Sequence, residues 1–298
     1  MINAVIAGYK RSPFTFANKG ELILTRPEDL LAQVINDLVK DSNINTEDIE
    51  DIIIGCAFPE GEQGFNIGKV VSFMTEMPQH VAGMTVNRWC GSSMQSIHIA
   101  AGSIALGSGK VFICGGVESM TRVPMLGFNP MLHPNILETN PNVYLSMGLT
   151  AENVAKKYNI SRSEQQDFAI SSHEKAHKAQ QNGKLTDEIT PIIHGNNKVQ
   201  KDGCIRTGTN QEGLDGLKLA FDENGTVTAG TSSPLTDGAA VTLVCEEEYA
   251  KSNKLDILAR IKSTSVNGCA PEVMGLGPIA ASQKAIKRAG INPKEIAI

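Results

Sequence analysis

The chain has 298 residues, enough for about two domains and a sizeable core. Its 41% hydrophobic and 20% charged residues sit at the globular norm, which excludes a disordered chain, a collagen or a membrane bundle. Net charge is −5, from 27 Lys and Arg against 32 Asp and Glu, with no basic run, so nucleic acid is not an expected partner.

In chain order, Ile2 to Ala7 is a short apolar run that ends at Gly8 and predicts a strand. No basic flank precedes it, so it does not read as a signal peptide. Pro27 to Ser42 predicts a helix: Leu30, Leu31, Val34, Ile35, Leu38 and Val39 recur at three and four, behind a proline at the start. Ile49 to Ile54, ending at Gly55, predicts a buried strand. Cys90 to Gly107 predicts a helix with small residues on several faces, buried all round. Its apolar run from Ile97 to Leu106 is about half of what a bilayer requires, so no membrane partner is expected. Val111 to Cys114, before Gly115-Gly116, predicts another strand. Apolar strands alternating with helices predict a covered, mostly parallel sheet.

Residues 118 to about 230 read differently, as an insertion lying over that sheet. Prolines 124, 130, 134 and 141 break its first part into loops. A helix follows from Ser161 to Gln181, with Ser161 and Glu164 spaced as a capping box and Gly183 as its stop. Asn224-Gly225 predicts a turn between two extended pieces. The α/β pattern resumes with strands at Val241 to Cys245 and Ile257 to Val266 and a helix from Pro278 to Ala289. Residues 32–45 align with 279–292: Leu38-Val39 falls on Ala285-Ile286, Lys40 on Lys287, and Ile44-Asn45 on Ile291-Asn292. That spacing predicts a duplicated half-domain whose second copy stops where its next strand begins.

Cys56, Cys90, Cys114, Cys204, Cys245 and Cys269 include no C-x-x-C pair, and no histidine spacing completes a zinc site, so no metal is expected. Reduced thiols in a cytoplasmic protein are expected instead. Five of the six read as small hydrophobes in or near strands. Cys90 stands where a loop enters a helix, next to Gly91 and near unpaired N–H groups, which is how a nucleophilic thiol is presented. Position alone leaves an inert buried cysteine open. The glycines of Gly115 to Met120 let a backbone pass close to another element or a ligand. The small-residue loop Ala229 to Ala240 could hold a polar chain such as an amide-bearing thioester arm, or be a turn before a strand. His98 reads as a satisfied core residue, and His173 and His177 as a solvated helix face.

Taken together, Val86 to Gln95, Gly115 to Met120, Met147 to Val154, Ala229 to Ala240 and Met274 to Pro278 resemble the thiolase family, in the same order along the chain. Cys-Gly-Ser-Ser-Met-Gln and Gly-Thr-Ser-Ser-Pro-Leu look most like its acetyl-CoA acyltransferase (3-ketoacyl-CoA thiolase) branch. The resemblance implies an α/β fold of αβαβα layers: a first half at 1–117 completed by 231–250, an inserted loop domain at 118–230, and the start of a second half at 251–298. It implies an acyltransferase of fatty acid metabolism and β-oxidation, with Cys90 as the residue acylated. CoA and acyl-CoA would be substrates, with no further cofactor. Met147, Phe221, Ala229 and Ser233 would lie along the pantetheine arm, and the chain would form a homo-oligomer, dimer or tetramer. Ser146 stands where some members have a histidine that touches substrate, and Thr207 where many have proline. The family's Asn-Glu-Ala-Phe, Gly-His-Pro and Cys-x-Gly-Gly-Gly segments do not occur in these 298 residues, so the expectation is a chain without most of the second catalytic half. The alternative reading is a catalytically incomplete remnant that binds CoA or pairs with a related subunit.

Overall fold

The computed structural model describes residues 3–296, so Ile2 of the first expected strand lies outside it. The chain begins with β1 (Ala4–Arg11), β2 (Thr15–Phe16), α1 (Pro27–Ser42), β3 (Asp51–Gly55), α2 (Ile67–Ser72), β4 (Ala82–Val86), α3 (Ser92–Ala105) and β5 (Val111–Ser119). Helices α4 (Pro134–Thr139), α5 (Met147–Tyr158) and α6 (Arg162–Gln181) follow, then β6 (Ile192–His194), β7 (Asn197–Val199) and α7 (Gln211–Asp215). The last elements are β8 (Thr236–Glu246), α8 (Glu247–Ser252), β9 (Ala259–Arg260) and α9 (Gly277–Ala289).

Two compact units emerge. The first comprises residues up to Pro130, Lys184–Cys204 and Leu235–Ile261; the second comprises Met131–Gly183, Ile205–Pro234 and the residues from Lys262 on. The expected break at 117/118 falls inside β5. Part of the expected 118–230 insertion, the β6–β7 hairpin, is built into the first unit. Long-range polar pairs that no local pattern shows draw it there. Arg11 grips Asp202 with both Nη atoms at 2.8 Å and Glu188 through Nε at 2.8 Å, and Gln33 exchanges two hydrogen bonds with the Ile193 backbone.

In the first unit the sheet runs β4-β3-β5-β8-β1-β9, with β2 beside β8. Strand β3 is parallel to β4 and β5, but β8 is antiparallel to β5 and to β1, and β1 is antiparallel to β9. The sheet is therefore mixed, not mostly parallel as expected. Continuous apolar runs report burial on both faces and carry no direction. Both faces are indeed covered. Ile52, Ile54, Val111, Ile113, Val241, Leu243 and Cys245 share a core with Leu30, Leu31, Val34, Ile35 and Leu38 of α1. Ile53, Phe112, Cys114 and Val244 pack with Ala100 and Ile104 of α3 on the other face.

Helix α3 is not buried all round. Ala100 and Ile104 are enclosed, while Met94 is 53% and Leu106 84% exposed. Only Ala259–Arg260 of the expected strand from Ile257 to Val266 joins the sheet, against Val5 and Ile6; the residues from Lys262 on leave for the second unit.

In the second unit, Ser161 and Glu164 form the expected capping box at α6, and Gly183 past its end has a φ of +70°. Arg162 Nη2 donates to the carbonyls of Leu214, Asp215 and Leu217 at 2.8–3.0 Å, which holds the α7 loop. The aligned segments share local structure. Asn43 ends α1 and Gly290 ends α9 in the left-handed region, and Asn45 and Asn292 each cap a following 3-10 turn. No residue of α9 is buried.

One ion-pair cluster fixes an acid limb of stability. Glu247 takes hydrogen bonds from Arg260, Asn3 and Lys251, and these hold its carboxyl down from the usual 4.5 to about 2. A lowered folded-state value contributes stability that is fully present above about 4.5 and is lost as pH falls towards 2. Glu247→Gln is expected to flatten the fall of the urea midpoint across that window and to leave its slope near pH 7 unchanged. An identical acid limb in both proteins would refute the assignment.

Candidate functional site

The three parallel strands β4, β3 and β5 end on one side of the sheet, and the chemistry-bearing residues follow those carboxyl ends. This is where open α/β sheets place their ligands. After β4, Arg88 leads into a 3-10 turn, Trp89–Gly91, which runs straight into α3 at Ser92. Cys90 is the middle residue of that turn and is exposed.

The turn is possible because glycines meet it from below. A Cβ on Gly55 would run into the backbone between Ser92 and Ser93, and one on Gly116 would strike Ser93 Oγ. Gly116, one of the glycines expected to permit close approach, lets β5 reach the start of α3, and Gly55, read from sequence only as a strand end, does the same for β3. Trp89 has a φ of +47°, the left-handed region that costs a non-glycine residue about 1–2 kcal/mol. Its ring is 62% exposed, so packing does not hold that conformation. Hydrogen bonds do. Trp89 N–H donates to Asn87 Oδ1 at 2.8 Å, Ser92 Oγ donates to the Trp89 carbonyl at 2.5 Å, and Ser92 N–H donates to the same carbonyl. Each contributes about 0.5–1.5 kcal/mol, which covers the strain. Ser92 Oγ also accepts from Arg88 N–H at 2.8 Å, and Arg88 Nε donates to Gln95 at 2.9 Å.

Asn87 extends this frame. Its Nδ2 donates to the Ala57 carbonyl at 2.9 Å, and Ala57 N–H donates to Glu118 Oε2 at 2.7 Å. Glu118 Oε1 accepts from Phe58 N–H at 3.3 Å and from Gln63 Nε2 at 2.7 Å. Gln63 is fully buried and takes the Ser119 N–H on its own oxygen at 2.5 Å. Asn87, Ser92 and Glu118 lie in segments that carried the resemblance but were given no role of their own, and Gln63 lay in none of them. Only Asn87 left a signal, an Asx residue two places before a strained one. Glu118 acts across the sheet, which no local spacing reveals.

The cysteines sort by environment. Burial, and secondarily the charge of Glu118, pushes the Cys56 thiol up; burial does the same to Cys114; Cys245 is pushed up to about 12, first by burial and then by Glu246. Cys204 is half-buried and Cys269 exposed, so neither is the strand-packed hydrophobe expected of it. In limited alkylation followed by peptide mapping, Cys90 and Cys269 are expected to react while Cys56, Cys114 and Cys245 stay protected until denaturation. Early labelling of the buried three would contradict the structure. His98 is half-buried rather than enclosed in the core as expected, and its imidazole is pushed to a lower pKa by burial and then by Arg88.

Met147, Phe221, Ala229 and Ser233 lie in the second unit. Met147 opens α5 behind its Ser146 cap, and a Cβ on Gly148 would collide with the Phe221 ring, so α5 and Phe221 lie in close contact. Glu152, about one turn along, accepts from Thr226 N–H at 2.9 Å, Thr226 Oγ1 at 3.1 Å and Val227 N–H at 2.8 Å. This holds the Asn224-Gly225 turn against the same helix. Ala229 stands in a 3-10 turn capped by Thr228, and all four expected contact residues are exposed. His173, Glu174, His177, Arg206, Thr207, Gly208 and Thr209 line a cleft, with Arg206 N–H donating to His173 Nδ1 at 3.2 Å. Two histidines expected on a plain solvated face are thus part of a concavity. Among the described residues no group of three or more His, Cys, Asp or Glu could hold a metal ion, and no helix is long and apolar enough to cross a membrane.

The sequence pattern of the thiolase N-terminal domain matches residues 4–248. A 3-ketoacyl-CoA thiolase of Aliivibrio fischeri is 43% identical over 303 residues, covering 99% of this chain and 78% of that protein. One from Bacillus subtilis is 40% identical over 311 residues, covering 100% and 80%. The crystal structure of the Bacillus anthracis acetyl-CoA acetyltransferase superposes with a TM-score of 0.89 at 34% identity, over 99% of this chain and 78% of that one.

Proposed function

The chain belongs to the thiolase family, and from that premise we propose that it is an acyl-CoA C-acyltransferase in which Cys90 carries the acyl group. The observation that carries this reading is the placement of Cys90. It is an exposed thiol on a strained, hydrogen-bonded turn at the carboxyl ends of parallel strands, while Cys56, Cys114 and Cys245 are buried with raised pKa values. In thiolysis, Cys90 Sγ bonds to the keto carbon of a 3-ketoacyl-CoA. The bond from that carbon to the next breaks, and its electron pair takes up the proton that the thiol gave up, which yields acetyl-CoA. CoA sulfur then attacks the Cys90 thioester and releases the shortened acyl-CoA, returning the thiol.

Met147, Phe221, Ala229 and Ser233 are the proposed contacts of the pantetheine arm, supported by their common exposure and by the anchoring of their loop to α5 through Glu152. A cytoplasmic homo-oligomer acting in fatty acid β-oxidation completes the reading. Six free cysteines support the compartment and the naming of the relatives the metabolism, while the homo-oligomer rests on the family resemblance alone.

The test is to incubate the protein with acetyl-CoA, digest, and locate the added acetyl group by mass. The group is expected on the Cys90 peptide and to be released by CoA. Ser233→Phe is expected to raise the acetyl-CoA concentration for half-maximal labelling by about tenfold or more, through steric exclusion of the arm. An acetyl group found on Cys269 alone would overturn the assignment of the nucleophile. Unchanged half-saturation in the folded Ser233→Phe protein would remove that loop from the site.

A further inference from the structure

Trp89, the residue before Cys90, has a conformation that packing does not hold. Trp89 is 62% exposed and its backbone is left-handed, so hydrogen bonds to its peptide groups, beside the Gly91 N–H bond to the Arg88 carbonyl that closes the turn, keep this shape. On the carbonyl side those bonds come from Ser92, which belongs to α3 and is 3% exposed. On the N–H side a single side chain provides the bond, Asn87 Oδ1 at 2.8 Å.

Asn87 is itself anchored at a distance. Its Nδ2 holds the Ala57 carbonyl at 2.9 Å, and the Ala57 peptide is fixed at its N–H by Glu118 Oε2 at 2.7 Å. Glu118 is steadied in turn by Phe58 N–H and by the fully buried Gln63. The chain of contacts thus joins the ends of β5, β3 and β4 in one line and finishes one residue before the thiol. The carboxylate of Glu118, which stands in a motif the reaction does not otherwise use, is its far end.

We infer that Asn87 is a positioning residue for acyl transfer: backed by Ala57 and Glu118, it holds the Trp89 peptide left-handed and so aims Cys90 Sγ at the acyl carbon. The inference rests on the reading of Cys90 as acyl acceptor. Asn87 contributes orientation, not a proton or a contact with substrate. Its loss therefore lowers the rate of bond formation at bound substrate and leaves binding of the CoA arm intact, because misplacement of a nucleophile by about 1 Å can cost about 100-fold in rate.

Bromoacetyl-CoA separates the two quantities. Cys90 sulfur bonds to the bromine-bearing carbon, the carbon–bromine bond breaks, bromide leaves with the electron pair, and the thiol proton passes to buffer. Saturation of the labelling rate gives kinact and KI, peptide mapping gives the site, and iodoacetamide labelling of Cys269 in the same chain gives an internal reference. For Asn87→Ala, kinact is expected to fall about 10- to 100-fold with KI within about twofold of the parent. Asn87→Asp keeps the acceptor for Trp89 N–H but loses the anchor to Ala57, and is expected to fall between the alanine variant and the parent.

An unchanged kinact in Asn87→Ala, a loss confined to KI, or an aspartate variant no faster than the alanine one would each overturn the inference. Cys56 and Cys114 report folding by staying unlabelled. If the alanine variant exposes them, Glu118→Gln decides the matter, with kinact expected to fall at constant KI and an unchanged kinact counting against the relay. Parent protein that is not labelled saturably at Cys90 would overturn the assignment of the nucleophile itself, whereas saturable labelling of Cys90 that is indifferent to Asn87 would overturn only the positioning role.

Discussion

Replacing Cys90 by alanine is expected to abolish acyl transfer, by roughly 10⁴-fold or more, because a nucleophile that forms a covalent intermediate has no substitute once removed. The residue is exposed, and its turn is held by the backbone of Trp89 and the side chains of Asn87 and Ser92 rather than by sulfur. The unfolding midpoint is therefore expected to stay within the small range of a surface substitution, about 0.5 kcal/mol. Cys269→Ala, the equivalent change at the other exposed thiol, is expected to leave transfer unaffected. The measurement is acetyl incorporation from acetyl-CoA, with thermal unfolding of each variant alongside. Full incorporation in Cys90→Ala would mean that another residue carries the acyl group.

Gly55→Ala is expected to damage both stability and reaction. The added methyl has no room, because it would meet the backbone carbonyl carbon of Ser92 and the amide nitrogen of Ser93, and neither can swing aside as a side-chain tip would. Helix α3 must lift at its first turn, at a cost of about 1–3 kcal/mol for an overpacked interior. Since the Cys90 turn runs directly into that helix, the lift displaces the thiol, and acyl transfer is expected to fall about 100-fold. Gly102→Ala on the same helix meets nothing within 4 Å and serves as the control. It is expected to be neutral or slightly stabilising, since alanine suits a helix interior better than glycine. Equal behaviour of the two variants, read by denaturant unfolding and by acetyl incorporation, would show that the approach of β3 to α3 does not set the geometry of the site.

What could be read in the sequence follows the range of the interaction that makes it. Helix α1 runs from Pro27 to Ser42 as its apolar spacing predicts, and the Ser161–Glu164 capping box is found in place, because both signals are complete within one or two turns. The place of Cys90 at a helix start was legible for the same reason, since a thiol beside a glycine before a helix is a local pattern, and so was the family through the motifs around it.

The direction and neighbours of β8 were not legible. Its apolar run records two covered faces, which a parallel or an antiparallel strand satisfies equally. The run from Ile257 misled for a related reason. Ile257 and Leu258 are 38% and 52% exposed, so their apolar character reports no strand interior, and only two residues beyond them find the free edge of β1. Cys269 was misread through composition alone, since a cysteine's usual burial says nothing of a given loop. The support of the site, Glu118 to Asn87, spans the ends of three strands and becomes visible only when those ends are brought side by side.

The place of β8 between β5 and β1 also sets a timetable for synthesis. Ala4 of the first strand pairs with Glu246, and Val111 of β5 pairs with Cys245, so neither strand gains its inner neighbour until Thr236–Glu246 has been made. At about 5–20 residues per second, a nascent chain carries β1 for roughly 10–50 s before its partner leaves the ribosome. During that interval Val5 and the continuous apolar run Val111 to Cys114, which has β3 on one side only, lie on open edges, which are templates for pairing with other chains. Insertion of β8 therefore comes late, and only the short β9, which sets Arg260 beside Val5, follows it. Synthesis at lowered temperature or beside a holdase chaperone, which lengthens or shields that interval, is where the yield of folded protein is decided.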